Sequence, residues 1–147
     1  MDAAAKSSAI TVEQVLEICE RELPFALQLG LSIERLAPGE VTVRLPYRSD
    51  FVRPGGTVAG PMIMTLADFA MFVAVMSHIG PQVMAVTSNL NCNFLRRPQP
   101  ADLLGHARIL KLGRRLAYGE VSIFSEGEDE AEPAAHVTAT YSIPPAP

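Results

Sequence analysis

Residues 56–78 read Gly56-Thr57-Val58-Ala59-Gly60-Pro61-Met62-Ile63-Met64-Thr65-Leu66-Ala67-Asp68-Phe69-Ala70-Met71-Phe72-Val73-Ala74-Val75-Met76-Ser77-His78. From position 62 onward apolar side chains cover every face of a helix, and a helix over 61–78 spans roughly 27 Å. Such a helix is either buried in a core or crosses a membrane. Asp68 lies inside the run, Pro and Gly bound it, and strand patterns flank it in sequence. The expectation is therefore a central helix wrapped by a sheet, with no membrane contact.

Upstream, Thr11 and Gln14 fit a capping box, with Val12, Val15, Leu16 and Cys19 at helical spacing behind it. Pro24 interrupts that helix, and Gly30 closes it. A short strand over 31–36, the turn pair Pro38-Gly39 and a strand alternating at Val41, Val43 and Leu45 follow. Downstream, residues 83–94 alternate, with Thr87, Asn89, Asn91 and Asn93 assigned to one face and Val86, Leu90, Cys92 and Phe94 to the other. Further strands are expected over 103–112, 115–124 and 134–143, with an acidic hairpin loop over 125–133. The order α-β-β-α-β-β-β-β indicates an α+β fold with an antiparallel sheet. One domain over 1–147 is expected, with flexible tails at 1–10 and 144–147.

The 147 residues are 48% apolar and only 19% charged, which excludes a disordered chain and suggests surface hidden in a homo-oligomer. A net charge of −4 gives no general footprint for nucleic acid. Cys19 and Cys92 lie far apart and read as reduced thiols, and the first residues lack an apolar export signal. A cytoplasmic protein is expected.

Asp68 is the only formal charge in the apolar helix. A carboxylate there must be paired, protonated or exposed to a cavity, since burying it alone is expensive. The segment 57–61 precedes it. Free backbone N–H groups at that helix start, with the positive end of the helix dipole, can hold an anion or polarise a carbonyl. An electrophilic helix start and a carboxylate about two turns further on form a more specific pair than either alone.

The run from Gly56 to Asp68 resembles the helix-start motif of hot-dog acyl-CoA thioesterases, in particular the phenylacetyl-CoA thioesterase-like group. That family typically shows Gly-x-x-His-Gly-Gly, then a helix carrying Leu-x-Asp. Asn93-Phe94-Leu95-Arg96-Arg97-Pro98 with Asp102-Leu103 resembles its third strand and exit, and Leu112-Gly113-Arg114-Arg115-Leu116 its Gly-Arg turn. The resemblance implies the hot-dog fold, from about residue 11 to 143. It also implies hydrolysis of an acyl- or aryl-CoA to an acid and free CoA. The Gly60 N–H would polarise the thioester carbonyl, and Asp68 from a partner subunit would act as general base or nucleophile. Thr87 and Ser88 are hydroxyls that could bond the carbonyl or the water. The chain departs from the family pattern at Ala59, where His is common, at Pro61, where a second Gly is usual, and at Arg53, where a water-orienting Asn is often found. These three flank the expected substrate site.

Arg96, Arg97, Arg108, Lys111, Arg114 and Arg115 are half of the Lys and Arg residues, with only Asp102 opposing them over 94–115. Such a stretch suits the phosphates of coenzyme A, with Arg96, Arg97, Arg114 and Arg115 as binding residues. The alternative is a solvated face paired with the acidic loop. His78, His106 and His136 lack metal-ligand spacing, so no metal is expected, and coenzyme A enters as part of the substrate rather than as a cofactor. Dimers or dimers of dimers are expected, because the resemblance shares each site between subunits. Two other classes compete: a non-catalytic acyl-CoA or acyl-carrier binding module, and an enoyl-CoA hydratase-like protein.

Overall fold

The computed structural model describes residues 7–146. Most of the expected N-terminal tail, residues 1–6, lies outside them. Within them, the expectation of a flexible tail needs correction at 8–10. Ile10 is 1% exposed and the Ala9 N–H donates to the Ser77 carbonyl at 2.7 Å, so this segment is docked on the core. The capping box forms as expected: the Thr11 N–H donates to Gln14 Oε1 at 2.9 Å and the Gln14 N–H to Thr11 Oγ1 at 3.1 Å. It opens α1 (Val12–Glu22), and Pro24 restarts the chain as α2 (Pro24–Gln28).

Six antiparallel strands follow the expected order around the long helix: β1 (Ser32–Ala37), β2 (Glu40–Leu45), α3 (Gly60–Ile79), β3 (Val86–Phe94), β4 (Leu103–Leu112), β5 (Leu116–Ser125) and β6 (Ala135–Ser142). They form one sheet in the order β1-β2-β4-β5-β6-β3, which puts β3 on an edge. Helix α3 is long and apolar enough to cross a membrane, yet here it is the core, packed against all six strands. Leu66, Ala67, Ala70, Met71, Val73, Ala74, Val75 and Met76 are fully buried. Each of the larger ones is worth about 1.5–3 kcal/mol of burial. Two glycines let the helix come this close to the sheet. A Cβ on Gly119 would sit 2.5 Å from the Arg108 carbonyl oxygen and 2.9 Å from Met71 Sδ, and one on Gly105 would sit 3.1 Å from Leu66 Cγ. At the far end of α3, the buried Ser77 hydroxyl accepts the Gly39 N–H at 2.8 Å and locks the β1–β2 turn onto the helix.

One register detail corrects the sequence reading. The pairing of β3 with β6 slips between Thr87 and Asn89. A bulge adds one residue and reverses the alternation behind it. Thr87 pairs with Tyr141, and Leu90 with Ala139, so Thr87 shares the helix-facing side with Leu90 and Cys92 rather than with the asparagines. Val86 pairs with Ser142, shares the solvent face and is 58% exposed.

Candidate functional site

Asp68 lies two turns into α3 and is half-buried. Its Oδ1 accepts the Thr87 hydroxyl at 2.7 Å and the Tyr141 hydroxyl at 2.5 Å. The Tyr141 oxygen also sits 2.9 Å from the Asp68 carbonyl. Tyr141 is 3% exposed. Burial first, then the Asp68 charge, pushes its phenol well above the ordinary tyrosine range, so the group is a donor and stays one. Two hydroxyl donors on one oxygen fix the carboxylate rotamer. Among the described residues no donor reaches Oδ2, which leaves that oxygen able to accept a proton. The carboxylate lies on the wall of a cavity of about 700 Å³ between α1, α2, α3 and β3. Of the alternatives for a charge in this helix, two hold at once: the carboxylate is hydrogen-bonded and lies on a cavity wall.

Gly60 opens α3, with Ala59 as N-cap. The Ala59 N–H donates to the Phe51 carbonyl at 2.8 Å, and the Pro61 carbonyl takes the Thr65 hydroxyl at 2.8 Å. Among the described residues the Gly60 N–H has no acceptor, as the first turn of a helix dictates. It opens onto a second, smaller cavity of about 430 Å³, lined by Arg53, Thr57, Phe94, Arg96 and Arg97. A Cβ on Gly60 would meet the Phe94 ring at 3.3 Å, so glycine lets that ring pack close to the helix start.

The two features line different cavities of one chain. Eight residues of helix separate them by about 12 Å along the axis. The chemistry of the pair is complementary all the same: a dipole-assisted donor for a carbonyl oxygen, and a carboxylate held in an apolar recess.

A family model described as the thioesterase superfamily matches residues 55–132, more than half of the chain, and includes both Gly60 and Asp68. The chain belongs to the thioesterase superfamily. Among solved structures, the crystal structure of a protein from Silicibacter sp. TM1040, provisionally named a thioesterase, is 41% identical, covers 97% of both chains and superposes with a TM-score of 0.83. A variant of the phenylacetic acid degradation protein PaaI from Thermus thermophilus is 31% identical over 82% of this chain and 99% of its own, with a TM-score of 0.72. A Halobacterium salinarum protein provisionally named an esterase is 33% identical over 111 residues, covering 71% of this chain and 73% of its own. These similarities bear out the hot-dog reading of the fold, and they support hydrolytic thioesterase activity.

In this thioesterase-superfamily chain the other expected residues separate. The Ser88 hydroxyl sits in the β3 bulge and donates to the Thr140 carbonyl at 3.2 Å, away from Asp68. The basic stretch is not one cluster. Arg96 and Arg97 follow the Phe94 end of β3, at the Gly60 cavity. Arg114 and Arg115 sit at the β4–β5 turn, where Leu116 and Val86 both pair with Ser142 at the opposite end of the sheet. Eight residues of β3, roughly 26 Å, separate the two pairs. Arg115 Nε donates to the Ile143 carbonyl at 3.0 Å, which anchors the end of β6. Arg108 lies near Glu40 and Glu130, and Arg96 pairs with Glu132 at 3.1 Å, so part of the acidic-loop alternative holds. Arg53 and Arg97 have no acidic partner within 4 Å among the described residues.

Two features escaped the sequence reading. Tyr141 was only a strand residue there, although a tyrosine on an inward strand position needs a partner for its hydroxyl. His106 was only a histidine without metal-ligand spacing there. It is wedged between Glu40 and Glu130 on the outer face of the sheet, away from the Asp68 cavity.

Proposed function

We propose that the protein hydrolyses the thioester of an acyl- or aryl-CoA to a carboxylic acid and free CoA, at a site shared between two copies of the chain. The observation that carries this reading is the Asp68 carboxylate, clamped on Oδ1 by Thr87 and Tyr141 at the wall of an apolar cavity. Oδ2 takes a proton from a water molecule as the water oxygen adds to the thioester carbon. The carbonyl oxygen gains negative charge, which the Gly60 N–H of the second copy stabilises together with its helix dipole. Collapse of the adduct breaks the C–S bond and releases the thiolate, which recovers a proton. Arg53 and Arg97 at the mouth of the Gly60 cavity suit the phosphates of coenzyme A.

The separation of Gly60 from Asp68 within one chain supports a shared site. So does β3, a nine-residue edge strand with Val86 58% and Phe94 55% exposed, which offers unpaired backbone groups to a second copy. The test is release of free thiol from acyl-CoAs by the wild type and by Asp68→Asn. The variant keeps the shape and loses the proton acceptor, so turnover falls by about 10²–10⁴-fold while the melting temperature holds or rises. Full turnover in a folded Asp68→Asn protein, or acyl-CoA binding by the wild type with no thiol released, favours a binding module instead.

A further inference from the structure

We propose that the Asp68 cavity selects a purely hydrocarbon acyl tail of several carbons and rejects tails that carry a carboxylate or carbonyl away from the thioester. This rests on the reading of Asp68 as the hydrolytic carboxylate and adds the class of acyl group it serves. The cavity of about 700 Å³ is well within the range of small-molecule sites, and far more than an acetyl group fills. Its wall is built from side chains such as Leu23, Phe25, Met64, Phe72, Met84 and Leu90. Among the described residues neither Lys, Arg, His, Asn nor Gln lines it.

The wall carries three hydroxyls, and each has already spent its single proton. Thr65 donates to the Pro61 carbonyl, and Thr87 and Tyr141 both donate to Asp68. Among the described residues of this wall, no side-chain proton is left for an acceptor on the substrate. The two remaining polar side chains, Asp68 and Glu22, are both acids, so a second carboxylate lodged against this wall would meet like charge with no compensating donor from the wall itself. Burying an unpaired acceptor is costly, and burying an unpaired charge is costlier. The site binds hydrocarbon by area and penalises oxygen by the absence of donors.

The test uses two substrate series on the wild-type protein, so folding of a variant is not at issue. From acetyl- through butyryl- and hexanoyl- to octanoyl-CoA, kcat/KM rises by about fourfold per methylene until the cavity is filled. Suberyl-CoA, the octanoyl thioester with a terminal carboxylate, is hydrolysed at least about a hundredfold less efficiently than octanoyl-CoA. Equal kcat/KM for acetyl- and octanoyl-CoA, or for octanoyl- and suberyl-CoA, overturns the proposal. Calorimetric binding of S-butyl- and S-octyl-CoA thioethers, which cannot be hydrolysed, separates it from the reaction assigned above. If no thioester is cleaved but thioether affinity climbs with chain length, the hydrolytic reading fails and the hydrocarbon site stands. If thioesters are cleaved and affinity is flat, hydrolysis stands and the hydrocarbon site is wrong.

Discussion

The two ends of the functional half of α3 differ in almost every respect. Around Gly60 the surroundings are cationic and open: a backbone N–H without an acceptor, with Arg53, Arg96 and Arg97 at its rim. Around Asp68 they are apolar and recessed: a carboxylate gripped by two hydroxyls on a hydrocarbon wall. One end suits a polyanionic, carbonyl-bearing head, the other a greasy tail and a water molecule to be deprotonated. In a thioester the carbon that water attacks and its carbonyl oxygen are adjacent atoms, whereas the Asp68 carboxylate and the Gly60 N–H lie about 12 Å apart along one helix. On the proposed reading, a symmetric pair of chains assembles from two halves a site that neither chain contains alone.

The largest effects expected come from removing the reactive group at either end. Asp68→Asn lowers kcat by about 10²–10⁴-fold. Gly60→Pro deletes the N–H donor and lowers kcat by about 10²–10³-fold. In stopped-assay thiol release both variants keep KM within a few-fold, because the cavity walls and arginines remain. A tenfold rise in KM with unchanged kcat in either would dissolve the distinction between a reacting group and a binding group.

A smaller effect sharpens the cationic end. Arg53→Ala with Arg97→Ala raises KM for a CoA ester by about tenfold, and added salt mimics the change in the wild type. A small thioester without the nucleotide shows neither effect. Arg114→Ala with Arg115→Ala, at the other end of the sheet, provides the comparison. If that pair raises KM as much, coenzyme A is bound from the β4–β5 turn instead.

The smallest effect lies at the apolar end. Burial and the Asp68 charge hold the Tyr141 phenol protonated above its ordinary range. The unfolded chain releases that proton once the pH passes about 10, while the folded chain keeps it. Its contribution to stability is therefore complete below that pH and is lost as the pH climbs further. Denaturant titrations across alkaline pH should show a shallower loss of stability in Tyr141→Phe than in the wild type. An identical slope would mean that Tyr141 is not held as the structure has it.

Much of this contrast was legible in the chain itself. A helix apolar on every face with one aspartate in it announces both the core and the exception, because an unpaired charge cannot stay buried. The capping box at Thr11 and Gln14, and the alternation at Val41, Val43 and Leu45 in β2, are local signals and translate directly into structure. What was not legible depends on non-local pairing. The bulge after Thr87 turns its hydroxyl toward Asp68, and nothing in the residues 83–94 alone reports the slip, which exists only relative to β6. The arginines fall within twenty residues of sequence, but the ten-residue strand β4 runs between the two pairs, so they part to opposite ends of the sheet. Tyr141 acquires its role only once β6 lies beside β3 and under α3.

Subunit mixing tests the shared site most directly. Asp68→Asn retains the Gly60 donor, and Gly60→Pro retains the Asp68 carboxylate. When the two nearly inactive variants are unfolded together, refolded at equal concentration and assayed for thiol release, half of the dimers are hybrids with one intact composite site. Activity should recover to about a quarter of the wild type, as random pairing in a two-fold dimer requires. Recovery no greater than the sum of the two parents, with hybrid dimers verified by mass spectrometry, would contradict a site built from Gly60 of one chain and Asp68 of another.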